Sequence, residues 1–309
     1  MKISKYLAII SLVLILMFTG CSTQRQEPGV AAPFYGGSEG LIAEFEEIGS
    51  LVSSSGYPEV WEDQSFPLMV RLMNKGEHEV STVNLVIKGV NIADFTGLNP
   101  NPSVTQSIEP VSEFLLDGGE FMVNFGSIGM GPGGIKGTFY DANFFVEYTY
   151  DYEQTVAVPK VCFKGNPYDD TICDTEGSRQ AFVSGGPFQI GTVTQRPAGK
   201  GRIMLEIPVR NVAGGKAKAE SSGMVKFSPL YDEIKMNYGG GDWECTAKGL
   251  GGDKIRINRN GETVVRCRYG FSQPIPEQDV YTSEFDLTLE YIYQDFVSET
   301  VRIRRDPTK

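Results

Sequence analysis

The chain has 309 residues, enough for about two domains at ~150 residues each, and its 28 Lys and Arg against 39 Asp and Glu give a net charge of −11. That acidic balance argues against a nucleic-acid partner, which calls for a clustered basic surface. The single histidine, His78 in the turn-like stretch Asn74-Lys75-Gly76-Glu77-His78-Glu79, argues against His-built zinc sites and Ser-His-Asp hydrolases. As a polar turn residue it is expected in solvent.

Lys2 and Lys5 lead into an apolar run over residues 6–18, followed by Thr19-Gly20-Cys21 and a polar tail. A basic start, an apolar stretch and small residues before a cleavage point are the parts of a secretory signal. Residues 18–21 resemble the lipobox of bacterial and archaeal lipoproteins, although Phe18 departs from the usual Leu. The resemblance implies cleavage before Cys21 and lipid carried on that cysteine. The alternative is an uncleaved anchor, because residues 6–24 hold no charge over 19 positions and a membrane helix needs about 20. Either reading places the remainder at the cell surface, on the outer face of the cytoplasmic membrane, tethered there by N-terminal lipid or helix. Residues 1–20 are therefore read as signal or anchor. Residues 21–39, rich in Gly, Pro, Ala and Gln, read as a flexible tether.

A first β-module is expected over residues 40–162. Leu41, Ala43 and Phe45 begin it, and Leu68, Val70 and Leu72 share one face of the next strand before Asn74-Lys75-Gly76. Residues 80–90 and 121–125 read as further strands, with a loop centred on Asn99-Pro100-Asn101-Pro102 between them. Gly129-Met130-Gly131-Pro132-Gly133-Gly134 is the most glycine-dense run. It lacks the Gly-Lys-Ser/Thr end and the following helix of a phosphate loop, so it reads as an inter-strand turn. Phe144, Val146, Tyr148 and Tyr150 then alternate on one face, Asp151-Tyr152-Glu153-Gln154 reads as a turn, and residues 155–158 as a returning strand. The same pattern recurs at Leu287, Leu289, Tyr291 and Tyr293, with a turn and a strand at 300–303. Two hairpins are thus expected, one closing each of two copies of a module.

Residues 163–186 read as a disulfide loop and linker, and residues 187–305 as the second module. Its strand at Ile203, Leu205, Ile207 and Val209 runs up to Asn211 as the earlier one runs up to Asn74. Residues 216–223 read as a mobile loop, and Asn260-Gly261 between two alternating runs as a hairpin turn. Four cysteines beyond Cys21 suggest two disulfides in a secreted chain. Three pairings are open, and the sequence-local one, Cys162–Cys173 with Cys245–Cys267, is favoured at about 3 kcal/mol each. Asp169, Asp170, Asp174 and Glu176 do not match a calcium loop and read as solvated carboxylates. Neither a metal nor a cofactor is expected.

Evenly spaced short strands with Gly, Pro and Asn turns point to an all-β fold, two tandem immunoglobulin-like β-sandwich domains. The Asn74-Lys75-Gly76 element resembles that of CARDB-type adhesion modules of archaeal and bacterial surface proteins. The stretch 148–155 with Cys162 and Cys173 is similar to a group of archaeal surface proteins with paired cysteines. The resemblance implies a surface-anchored, non-catalytic binding or structural protein serving adhesion, envelope structure or assembly with a surface partner protein. One alternative is a glycan-binding module, with Tyr238 and Trp243 flanking glycines as a stacking platform exposed on one face. Another is a secreted hydrolase, which needs two carboxylates across a cleft at about 5–10 Å.

Overall fold

The computed structural model describes residues 31–51, 56–169, 171–219, 225–247, 252–259 and 261–305. Cys21, the expected signal, most of the tether, and Asp170 and Asn260 lie outside them. The described chain is almost entirely β, with one short 3-10 turn at Ile92–Asp94. Its main strands are β1 (Leu41–Phe45), β2 (Pro58–Trp61), β3 (Phe66–Asn74), β4 (Val83–Lys88), β5 (Glu120–Met130), β6 (Phe139–Lys164), β7 (Phe188–Ile190) and β8 (Val193–Gly199). They continue with β9 (Arg202–Asn211), β10 (Lys216–Lys218), β11 (Tyr231–Tyr238), β12 (Glu244–Thr246), β13 (Lys254–Asn258), β14 (Thr263–Tyr269) and β15 (Val280–Arg304).

The two expected hairpins do not form. Residues 139–164 make the single strand β6, residues 280–304 make the single strand β15, and the two pair antiparallel over 24 residue pairs. At ~3.3 Å per residue that ribbon is about 80 Å long. The supposed turn keeps the two-residue alternation: Tyr152 and Gln154 are buried inward while Asp151 and Glu153 face out. A polar Gln154 at an inward position is what makes the sequence look like a turn.

This ribbon is the spine of a long sheet ordered β13-β11-β15-β6-β4, and it runs under both halves of the molecule. Over one half lies a sheet containing β1, β3 and β5; over the other lies one containing β7, β8, β9, β14 and β12. We call these halves lobe 1 and lobe 2. In lobe 1, Phe66 packs edge-on against Phe144 of the spine at 6.3 Å; in lobe 2, Phe188 packs against Tyr291 at 4.8 Å. Inward residues of both lobes belong to one hydrophobic cluster, and residues 33–309 form one compact unit. The interval expected to be a linker is woven into it, Gly177–Arg179 pairing with β8 and Phe182–Val183 with β6.

The internal repeat is visible in the registers. Leu41 pairs with Asn74 and Phe188 with Asn211; β5 flanks β3 as β14 flanks β9. Both asparagines end their strand in the same way. Asn74 Oδ1 accepts from Gly76 N and its Nδ2 donates to His78 O; Asn211 Oδ1 accepts from Ala213 N and its Nδ2 donates to Gly215 O. Both turns press on the spine's tyrosines. A Cβ on Gly76 would sit 1.7 Å from Tyr152 Oη, and one on Gly215 2.4 Å from Tyr293 Cε1, so neither position admits a side chain.

Two other expectations change. Residues on either side of Gly261 do not form a hairpin, because β13 pairs with β11 in the long sheet while β14 pairs with β9 and β12 over lobe 2. The chain there crosses between layers, held by Thr263 Oγ1 donating to Arg256 O at 2.8 Å. Residues 216–218 form β10 on the spine rather than part of a loop.

Where the lobes meet, Tyr150 pairs with Tyr293 and Tyr152 with Tyr291, their rings 5.9 and 6.0 Å apart. Burial pushes all four hydroxyls well above the ordinary tyrosine range, so they stay protonated and can donate. Tyr150 Oη donates to Leu41 O, Tyr152 Oη to Gly185 O, and Tyr293 Oη to Asn211 Oδ1. Fully buried Gln154 completes the set. Its Oε1 accepts from Tyr291 Oη at 2.7 Å and Phe188 N at 2.9 Å, and its Nε2 donates to Ser184 O and Phe188 O. Truncation to Gln154→Ala would strand several of these buried groups, each at about 1–3 kcal/mol. Urea unfolding of that variant should show a loss of about 3–5 kcal/mol with little change in m, whereas Tyr291→Phe should lose only about 1 kcal/mol.

Candidate ligand-binding site

The cysteines are joined as Cys162–Cys173 and Cys245–Cys267. The first ties the end of the spine strand β6 to the following loop, and Gln195 clamps the same point by accepting from Cys162 N at 3.0 Å and donating to Cys162 O. The second links directly paired residues of β12 and β14. Two disulfides suggest folding in an oxidising, extracytoplasmic environment.

Trp243 and Tyr238 do not make an exposed platform. Trp243 is 9 % exposed, packed against Phe163, Tyr269 and Phe285 with ring centroids at 6.0, 5.2 and 4.5 Å. Tyr238 is half-buried against the core. The indole directly precedes β12, an edge strand of the lobe 2 sheet, and fills the core between that sheet and the spine. His78 is not a solvated turn residue either: it is half-buried, its ring edge-on to Tyr152 at 5.4 Å. Its neighbour Glu77 accepts from Tyr35 N, Gly36 N and Gly185 N, so residues 35 and 36, within the stretch expected to be a flexible tether, are fastened beside the middle of the spine. Asp169 accepts from Thr171 N and Oγ1, which holds its carboxyl below the usual range. Among the described residues no group of three or more His, Cys, Asp or Glu is arranged to hold a metal ion.

Two exposed rings, Trp61 and Phe139, come together at the far end of lobe 1. There β2 pairs parallel with the end of β15, and the start of β6 pairs on the other side. Two rows result: Asp141–Arg302–Glu59, and Phe139–Arg304–Trp61. The rows are two residues apart along the strands, so their side chains share one face. Arg302 donates through Nε and Nη2 to both oxygens of Asp141, at 2.7 and 2.8 Å. Arg304 does the same to Glu59, at 2.5 and 2.8 Å. The Arg302 guanidinium also lies 4.2 Å from the centre of the Phe139 ring and 5.7 Å from that of Tyr57. Trp61 is 43 % exposed and Phe139 49 %.

Phe139 is shared with a cavity of about 540 Å³ lined by Ala93 and Asp94, Met130, the glycine-rich loop 131–137 and Tyr140. The loop is pinned on both sides. Gly131 N donates to Asp94 O at 2.8 Å, and Ile135 N to Glu62 Oε2 at 3.4 Å. Burial, then the nearby Asp94 carboxylate, raises the Tyr140 hydroxyl above its ordinary value, so it remains a donor. The cavity therefore combines an aromatic wall with a carboxylate, a phenol, the Lys136 amine and peptide groups, within the ~300–1,000 Å³ of small-ligand sites. The sequence reading takes the glycine run as an inter-strand turn and does not single out Trp61 or Phe139. The available signal is Trp61 itself, one of two tryptophans, followed by the polar Glu62-Asp63-Gln64 rather than a continuing apolar alternation.

No protein-family model matches the chain, and no curated protein is detectably similar to it.

The Asp141–Arg302 pair makes a pH prediction. Hydrogen bonding from Arg302, more than its charge, holds the Asp141 carboxyl below the usual range. A folded value below the unfolded one means that the pair stabilises above the unfolded value, near 4, and that this is lost as pH falls through the folded value. Carbon-detected NMR titration should find Asp141 ionised at a pH where ordinary aspartates have taken up a proton. In Arg302→Ala the carboxyl should return to the ordinary range, and the acid-side loss of stability should shrink.

Proposed function

We propose that this chain is a surface-anchored, non-catalytic binding or structural protein, working in adhesion, envelope structure or assembly with a surface partner. The observation that carries this is the 24-pair spine. A continuous sheet beneath both lobes makes a stiff body about 80 Å along its spine, suited to holding a binding tip at a set distance. The fastening of residues 35 and 36 to Glu77 gives a membrane tether a firm point of attachment. The lipobox-like residues 18–21 and the likeness of Asn74-Lys75-Gly76 to CARDB-type adhesion modules support the same reading.

The test is where the protein sits and what holds it there. In intact cells the wild-type protein should sediment with membranes and react with an amine reagent that does not cross them. Its mass should correspond to a chain starting at a lipid-bearing Cys21. The variant Cys21→Ser should lose the lipid mass and keep residues 1–20. Wild-type protein in the cytosol with all five cysteines as free thiols would sink the proposal.

A further inference from the structure

We propose that the tip of lobe 1 binds a neutral oligosaccharide, one part of it in the cavity under the 131–137 loop and a neighbouring part across the rings of Phe139 and Trp61. A sugar offers an apolar C–H face and a rim of hydroxyls, so its sites combine an aromatic wall with a few convergent donors and acceptors. This tip has both. Phe139 borders the cavity and the open face alike. Asp94, Tyr140 and Lys136 supply a carboxylate acceptor, a protonated phenol and an amine at the same cavity.

The spacing fits an extended ligand. Phe139 and Trp61 lie on strands either side of β15, opposite Arg304, so they are about 10 Å apart at ~4.8 Å per strand. Arg302 stacked on Phe139 at 4.2 Å, and itself locked by Asp141, holds that ring in place before a ligand arrives. Such preorganisation lowers the ordering cost of binding.

The charge pattern selects a neutral sugar over an acidic one. Arg302 and Arg304 are each matched by a bidentate carboxylate, so their charge is offset on the spot. The cavity sets one lysine against one aspartate, and the whole chain carries −11, which repels polyanions. The requirement that a stacking platform expose its rings on one face fails at Tyr238 and Trp243 and is met here.

This inference rests on the surface-binding reading, and its test is separable from it. Of the two tryptophans, Trp243 is buried and Trp61 exposed, so emission from Trp61 reports the site. Full-length protein in detergent would be titrated with cellohexaose, mannohexaose and chitohexaose, and with hexagalacturonate as the acidic control. At least one neutral hexaose should give a saturable blue shift. Trp61→Ala, which removes the reporter and is therefore read by calorimetry, and Phe139→Ala should each weaken calorimetric binding about tenfold, the scale of one aromatic stack. Tyr238→Ala should leave both readouts unchanged. Circular dichroism and an unaltered urea midpoint would show that the half-exposed substitutions keep the fold. The inference is overturned if no neutral hexaose binds, if binding survives both Trp61→Ala and Phe139→Ala, or if hexagalacturonate is preferred. Absence of sugar binding by a protein found at the surface removes the site and leaves the surface reading. Sugar binding by a protein found in the cytosol does the reverse.

Discussion

The pairing of β6 with β15 is the constraint from which the rest of the molecule follows. Each lobe taken alone would carry a strand with one open edge of unpaired N–H and C=O groups, a template for association. Here the open strand of one copy is closed by that of the other. Tyr150 and Tyr293, which occupy matching places in the repeat, are partners in the ladder. The arrangement is the intramolecular equivalent of a two-fold dimer contact, in which a surface patch meets its own copy. It also explains why the lobes are not separate bodies: their cores adjoin along one sheet, and the tyrosines at the crossing belong to both.

That closure has consequences for position. It sends the two ends of the spine to opposite extremes, so the beginning of β6 and the end of β15 meet at the tip of lobe 1. There β15 accepts β2 as a parallel neighbour, and the three strands bring Asp141, Arg302, Glu59, Phe139, Arg304 and Trp61 onto one face from segments far apart in sequence. Tyr35 and Gly36, by contrast, are fastened by Glu77 near the middle, beside Tyr152.

Much of the fold is legible in the sequence because most inward positions obey a two-residue period. Leu68, Val70 and Leu72, and Ile203, Leu205, Ile207 and Val209, are wholly buried and alternate without interruption. The copies are recognisable because Asn74 and Asn211 end equivalent strands with the same side-chain bonds. What the sequence conceals is long-range partnership. Residues 151–154 and 294–299 read as turns because a polar residue at an inward position, Gln154 or Asp295, looks like the end of a strand. Only the partner strand shows that Gln154 is satisfied by Tyr291 and Phe188. Asn260-Gly261 misleads for the opposite reason: local turn chemistry is right for a hairpin, but β13 and β14 find better partners in different layers. The tip was illegible because its residues share no local spacing, and Trp243, the tryptophan that stood out beside glycines, fills the core.

The inward polar groups also answer a question that alternation leaves open. A slip of the spine by one residue would turn every core side chain outward and is excluded by burial. A slip by two would preserve the faces, and for a ribbon of 24 pairs rich in Tyr, Val and Leu hydrophobic burial alone discriminates weakly against it. Hydrogen bonds do not share that tolerance. Only the observed register sets Tyr291 Oη 2.7 Å from Gln154 Oε1 while Tyr293 reaches Asn211 and Tyr150 reaches Leu41. Moving either strand by two residues would strand those buried groups at about 1–3 kcal/mol each. The tyrosine and glutamine groups at the crossing are thus best understood as the feature that selects one ladder from several of nearly equal apolar burial. Because the lobe 1 tip is assembled by that same ladder some 10 residue pairs away, the alignment of Asp141 with Arg302 is set at the centre of the molecule.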